Sequence, residues 1–364
     1  MAHFLGKEWK KTELRKYLSN IAAVAGAVPF EYSEGKANGV HGVAVTTGSG
    51  LSFNVLPGRA MDIYECRFKG IPLHFSSSTG VTAPAYYEEP GLRWLRTFFG
   101  GLLSTCGITY SGAPCTDQGE SLGLHGRIGN AGAENLRVSE EWDGDDYRII
   151  VGGRMREASV MGENLALTRT ITTMLGAKSI RIEDRIENLG FSAQPLQMLY
   201  HFNFGFPLLS ERSHLVAPII STVPRDDQAA ADNGVAECCD FAAPAPGYTE
   251  KVFFHDVATD GKGRTFVALI NPSVGGVPMG VALRYDKKAL PKLTEWKMIG
   301  TDCYVCGLEP GTANPIGRAA ARSKGELMTL APQSVHHVAV EFEVLDSREE
   351  LALIDAEAQK LASA

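Results

Sequence analysis

The stretch Gly48-Ser49-Gly50-Leu51-Ser52-Phe53-Asn54-Val55 decides the fold. A Gly-Ser-Gly turn gives way to apolar residues at every second position, with Ser52 and Asn54 between them. A period of two belongs to a strand with one face in a core and the other in water. Working outward, Ser179-Ile180-Arg181-Ile182-Glu183 repeats the alternation, and Arg185-Ile186 resumes it after Asp184. Near the C-terminus Val338, Val340, Phe342 and Val344 share one face, opposite His337, Ala339, Glu341 and Glu343. These segments predict half-buried antiparallel strands packed on one core.

Composition agrees. The 364 residues include 39 glycines and 18 prolines, so turns are frequent and many short strands are favoured over a few long helices. The expected fold is all-β: a large antiparallel β-sandwich with a short N-terminal helix and few other helices. One domain is expected over 1–364, with the sandwich at about 40–345 and a helical extension at about 8–19. In Glu8 to Leu18, Trp9, Leu14, Tyr17 and Leu18 are apolar and Lys10, Lys11, Arg15 and Lys16 cover the other side. Such a helix would cap the sandwich or mediate self-association, as in a homodimer. A second helix is expected from Ser347 to Leu361. Thr79–Pro90 and Pro224–Tyr248 read as long surface loops, where ligand contacts usually sit.

A net charge of -7 argues against a nucleic-acid backbone as partner, because there is no basic field to attract phosphates. It is compatible with a small neutral ligand. The first residues lack the apolar core of a signal peptide, and 18 apolar residues never run together, so a cytoplasmic protein away from membranes is expected. The seven scattered cysteines then read as reduced thiols. Cys303-x-x-Cys306 has no second pair at zinc-ribbon spacing, so structural thiols are expected there rather than a metal.

Four local sequences can carry chemistry. Leu122-Gly123-Leu124-His125-Gly126-Arg127 sets a histidine between glycines, which let backbone approach closely while the imidazole projects into a cleft. Leu199-Tyr200-His201-Phe202-Asn203-Phe204-Gly205 sets His201 and Asn203 among aromatics. Aromatic faces suit the C–H surfaces of a sugar ring, and polar groups suit its hydroxyls. Cys306-Gly307-Leu308-Glu309-Pro310-Gly311 ends a strand on a lone carboxylate. Arg93-Trp94-Leu95-Arg96-Thr97-Phe98-Phe99-Gly100-Gly101 is a cationic and aromatic run. Taken singly, each has a plain structural explanation: a satisfied histidine, a turn glutamate, a solvated edge anchored by tryptophan.

Together, His125 before Gly126, His201 before Phe202-Asn203 and Glu309 before Pro310 resemble, in order and spacing, the motifs of the aldose 1-epimerases, the galactose mutarotase family. The run Phe98-Phe99-Gly100-Gly101-Leu102-Leu103-Ser104-Thr105-Cys106-Gly107 and the Leu124-His125-Gly126-Arg127 run are similar to a divergent branch, the DUF4432 family. The resemblance spans roughly 40 to 345 and implies the mutarotase-like sandwich. It implies Glu309 as base and His201 as acid in opening and closing the ring of a free sugar, with no metal or organic cofactor. His125, Asn203 and an arginine would hold the sugar.

This chain departs from the wider family pattern. His201 is followed by Phe202 rather than Pro, and His125-Gly126 by Arg127 rather than Gly. The early Gly-Arg-x-x-Asn-Arg motif is missing, leaving Arg96 or Arg59 for its role. The sugar-binding aspartate has its nearest counterpart in Asp256, with Glu250 next. Arg127 and Arg96 together also admit an isomerase, epimerase or lyase acting on an oxidised or acidic sugar. A carbohydrate-binding protein without catalysis is the third reading.

Overall fold

The computed structural model describes residues 2–363. The alternating stretches pair into two large antiparallel sheets. The first has eleven strands. Its order runs Ile219–Pro224, Lys251–Val257, Lys292–Gly300, Cys303–Gly311, Leu199–Gly205, Leu103–Cys106, Asp62–Phe68, Leu51–Leu56, His41–Thr46 and Gly26–Glu31, with Ile71–Pro72 beside Asp62–Phe68. The second has eight: Glu134–Asp143, Asp146–Ala158, Asn164–Met174, Ser179–Asn188, Val335–Leu345, Val277–Asp286, Arg264–Val274 and His214–Val216. One apolar cluster takes side chains from both sheets, among them Phe53, Val55 and Ile63 from the first and Ile171, Ile182 and Phe342 from the second. The alternation that predicted the strands is what fills this core, each sheet turning one face inward.

The core also holds a charged group. Arg169 is fully buried and grips Asp184 with two hydrogen bonds, at 2.9 and 2.7 Å. Its Nη1 donates to Thr105 Oγ1 at 2.7 Å, while the Thr105 hydroxyl and amide donate to Asp62 at 2.6 and 2.9 Å. Tyr200 donates to Asp184 at 2.7 Å. Asp62, Thr105 and Tyr200 belong to the first sheet, Arg169 and Asp184 to the second. The network therefore bolts the sheets together directly behind the strand that carries His201, with each charge paired as burial demands.

The predicted terminal helix runs Arg348–Ala362, capped by Ser347, whose hydroxyl accepts from the Glu350 amide. It packs Leu351, Ile354 and Ala358 on the outer face of the second sheet, against Phe266, Ala268 and Ala282. The expected short N-terminal helix is present but covers less of 8–19 than expected. Ala2–Phe4 and Lys7–Trp9 form a hairpin, and only Lys11–Leu14 is helical. Leu5 and Gly6, both at positive φ, make the tight turn, and the Trp9 indole bonds back to Phe4 O at 2.9 Å, so the first residue of the apparent apolar stripe is spent on a hairpin. Pro224–Tyr248 is largely irregular, with one short helix at Asp227–Ala230 capped by Asp226. No helix among the described residues is long and apolar enough to cross a membrane.

Candidate active site

The strand register brings distant segments onto one line. His201 lies opposite Ser104 on one side. On the other, Leu199 faces Gly311 and Phe202 faces Leu308, which sets His201 opposite Glu309. Glu309 in turn pairs with Thr294. Cross-strand partners share a face, so His201, Glu309 and Thr294 form a row on the side of the sheet away from the core. His201 Nε2 and Glu309 Oε1 are 3.2 Å apart, yet out of line for a hydrogen bond, and Oε1 has no hydrogen-bond partner among the described residues. Gly307, on the same face two residues before Glu309, gives the carboxylate its room. A Cβ there would sit 2.6 Å from Glu309 Oε1 and 3.1 Å from Trp296 Cβ.

His125 arrives from a loop. Its backbone adopts positive φ, its amide bonds Gly112 O at 3.0 Å, and its carbonyl accepts from Gly107 N at 3.1 Å. Gly126 is required here for packing against protein: a Cβ would lie 2.3 Å from Gly107 O and 2.4 Å from Tyr110 O. The close backbone approach expected of this glycine is therefore to a neighbouring loop. The two imidazole rings meet edge-on with centroids 5.7 Å apart.

Above the row is a cavity of about 660 Å³ bordered by Trp94, Phe98, His125, His201, Trp296 and Glu309, with Arg225, Asp226 and Glu250 at the rim. Trp94 stacks on Phe98 at 4.7 Å, and both Phe98 and Trp296 lie 5.4 Å from the His201 ring. Nδ1 of His125, Nδ1 of His201, Oε1 of Glu309 and Oγ1 of Thr294 are buried and lack hydrogen-bond partners among the described residues. Four unpartnered polar atoms under an aromatic canopy have hydrogen-bonding capacity that the described residues leave unused.

Burial governs their charge. It raises the Glu309 carboxyl well above its usual range, helped by the Glu250 carboxylate and opposed by Arg225. Burial, and then His125, hold His201 well below the usual imidazole range. His125 is pushed down to about 4 by burial alone, so it is neutral at pH 7. Burial thus works against the expected pairing of an ionised carboxylate with a protonated imidazole in the free protein, favouring the neutral form of each group.

The other expected residues lie elsewhere. Arg96 is exposed and outside the cavity border. Arg59 is buried behind it, donating to the carbonyls of Gly129 (2.9 Å), Thr82 and Thr97 (3.1 Å), and so pins three loops around the cavity. Arg127 is held by Glu89 at 2.6 Å and Glu120 at 3.0 Å, against the Tyr110 ring. Asn203 is fully buried and donates to His201 O at 2.8 Å, steadying that strand from beside the cavity. Asp256 is at the surface, bonded to Lys287 at 2.6 Å. The charged rim comes instead from Arg225, which pairs with Asp226 at 2.7 Å and Glu250 at 2.8 Å, and Glu250 also accepts from the Trp296 indole at 2.8 Å. Sequence reasoning ranked Glu250 behind Asp256 and missed Arg225, Thr294 and Trp296. A cue was available in Pro224-Arg225-Asp226, charges placed where a strand enters a long loop. Cys303 and Cys306, three apart on one strand, point to opposite faces and cannot share a ligand.

The comparisons with known proteins agree with this architecture. The family model described as a domain of unknown function, DUF4432, matches residues 37–344, and the chain belongs to that family. No curated protein matches. Among solved structures, the chain is similar to a candidate aldose 1-epimerase from Klebsiella pneumoniae, 26% identical, covering 92% of this chain and 87% of that one with a TM-score of 0.86. It is similar in fold to a galactose mutarotase-like protein from Clostridium acetobutylicum (14% identity, 88% and 99% covered, TM-score 0.60). The same holds for a galactose 1-epimerase from Lactobacillus acidophilus (12%, 89% and 100%, TM-score 0.57). The fold is the galactose mutarotase-like sandwich.

Proposed function

We propose that this protein is a mutarotase-type isomerase that opens and recloses the ring of a neutral free sugar, with Glu309 and His201 exchanging protons with it. The observation that carries the reading is the convergence of Glu309, His201 and His125, each with an unpartnered buried atom, beneath the aromatic cavity. Likeness to the candidate aldose 1-epimerase from Klebsiella pneumoniae supports it.

The proton count makes the chemistry work. Ring opening needs a proton taken from the anomeric hydroxyl and one given to the ring oxygen. Starting from Glu309 carboxylate and His201 imidazolium, opening leaves Glu309 protonated and His201 neutral, the arrangement that burial favours. Rotation about C1–C2 and closure from the other face return both protons. The total on the pair stays at one throughout. Sugar hydroxyls donating to Glu309 Oε1 would stabilise the carboxylate in the closed-ring complex, replacing hydration the site withholds. Each positioned proton transfer typically contributes about 10² to 10⁴ in rate. His125, being neutral, would offer a hydrogen bond and no charge.

The rim favours neutral over acidic sugars. Arg225 is occupied by two carboxylates, and neither Arg96 nor Arg127 borders the cavity. Following anomer exchange by NMR over a panel of aldoses, ketoses and uronates tests the reading. Accelerated exchange of a neutral sugar is expected; a new product from a uronate, or binding of every sugar without acceleration, would refute it.

A further inference from the structure

On the opposite face of the strand that carries Thr294 lies a second cluster of chemical groups. Cys238, His255 and Glu295 are all buried, and one donor atom from each lies within 4.8 Å of the others. We propose that these three side chains bind a divalent transition metal of the zinc type.

The strands hold two of the ligands in place. Phe253 pairs with Glu295, and His255, two residues further along, points to the same side. His255 Nε2 is 3.0 Å from Glu295 Oε2, while Nδ1 is engaged by Thr222 Oγ1 at 2.9 Å. That outer partner orients the ring and leaves Nε2 for a ligand, as around metal-bound histidines generally. The third ligand comes from the 224–248 loop. Lys297, two residues beyond Glu295, donates to the carbonyls of Glu237 (2.8 Å), Cys238 (3.4 Å) and Asp240, clamping the loop so that the thiol is presented to the pair.

A separate observation points to a ligand. Glu295 is completely buried, and its Oε1 has no hydrogen-bond partner among the described residues. A carboxylate oxygen left so is costly unless something occupies it. Zinc bonds are about 2.0–2.3 Å long, so ligands of one tetrahedral ion stand about 3–4 Å apart and this set closes on an ion with a shift of about 1 Å. Sulfur, imidazole and a single carboxylate select zinc or cobalt over magnesium or calcium. The fourth position belongs to water, leaving Cys238 as the single thiolate among the ligands. Because Arg225 and Asp226 begin the same loop, the ion would fasten the rim of the cavity from below.

The test uses the full-length, reduced, chelator-washed protein and Co²⁺ as probe. One equivalent should bind, with the charge-transfer absorption of a cobalt thiolate and the d–d bands of a four-coordinate ion, and Zn²⁺ should displace it and raise the melting temperature. Cys238→Ser should lose the thiolate band, and Cys115→Ser should keep it. Thr222→Val, which retains all three ligands, should weaken binding about 10- to 100-fold. The proposal is overturned by absence of saturable cobalt uptake, by a thiolate band that survives in Cys238→Ser or vanishes in Cys115→Ser, or by unchanged affinity in Thr222→Val.

Discussion

Replacing Glu309 by Gln keeps the size of the side chain and removes its ability to exchange a proton. Its Oε1 receives no hydrogen bond among the described residues, so no protein contact is broken there. What is lost is one positioned proton transfer, about 10² to 10⁴ in rate, or about 2.7 to 5.4 kcal/mol in the barrier. Stability should move the other way. Burial raises the Glu309 carboxyl in the folded state above its unfolded value, so the folded protein binds that proton more tightly. Stability is then full below the unfolded pKa and declines as pH rises toward the folded one. The amide escapes this penalty, and Glu309→Gln should melt at or above the wild-type temperature at neutral pH, with the advantage fading in acid. Polarimetry or NMR exchange gives the rate, calorimetry the sugar affinity, and thermal melts across pH the stability. Retained catalysis would remove Glu309 from the proton transfer. A lower melting temperature at neutral pH would show that the carboxylate has a structural partner the geometry does not supply.

Gly307→Ala should cost most of the activity while melting close to wild type, because the added Cβ meets Glu309 Oε1 at 2.6 Å and displaces a movable side-chain end; kcat and melting temperature read the two effects. Trp296→Ala should weaken sugar binding about 5- to 30-fold, matching about 1–2 kcal/mol for a stacking face, and calorimetry reads it. Asp62 is raised to about 6 by burial, so wild-type stability should fall by about 3 kcal/mol between roughly pH 4 and pH 6 on its account. Asp62→Asn should flatten that segment of the urea-measured stability profile.

The fold could be read from the sequence because period-two alternation is local. Leu51–Val55, Ser179–Ile186 and Val338–Val344 show their buried faces without knowledge of their partners. The N-terminus misled for the same reason: apolar residues at 9, 14, 17 and 18 fit a helix, and only the Leu5-Gly6 turn and the Trp9 contact with Phe4 make the start a hairpin. Among the site residues, His125, His201 and Glu309 stand in short recognisable settings. Trp296 and Thr294 join them only through strand register, which sets them beside Gly307 and Glu309 without a local mark, and Arg225 enters from the start of the 224–248 loop. Arg96, Arg127 and Asp256 looked available because their actual surroundings, water for Arg96, Glu89 and Glu120 for Arg127, Lys287 for Asp256, are set by tertiary structure. Cys303-x-x-Cys306 drew notice as a motif, whereas Cys238, His255 and Glu295 form a cluster with no motif at all.

His201, Glu309 and Thr294 occupy a single row across three adjacent strands, and the row bears on how such a protein can change over generations. Gaining or losing one codon within any of these strands would turn its functional side chain into the core and bring an apolar neighbour out, disabling chemistry and packing at one stroke. The 224–248 loop, which supplies Arg225 and Asp226 to the rim, is under no such arithmetic. On the proposed reading, length variation is therefore tolerable at the rim and disabling in the row, so new sugar preferences would arise without the reaction being reinvented.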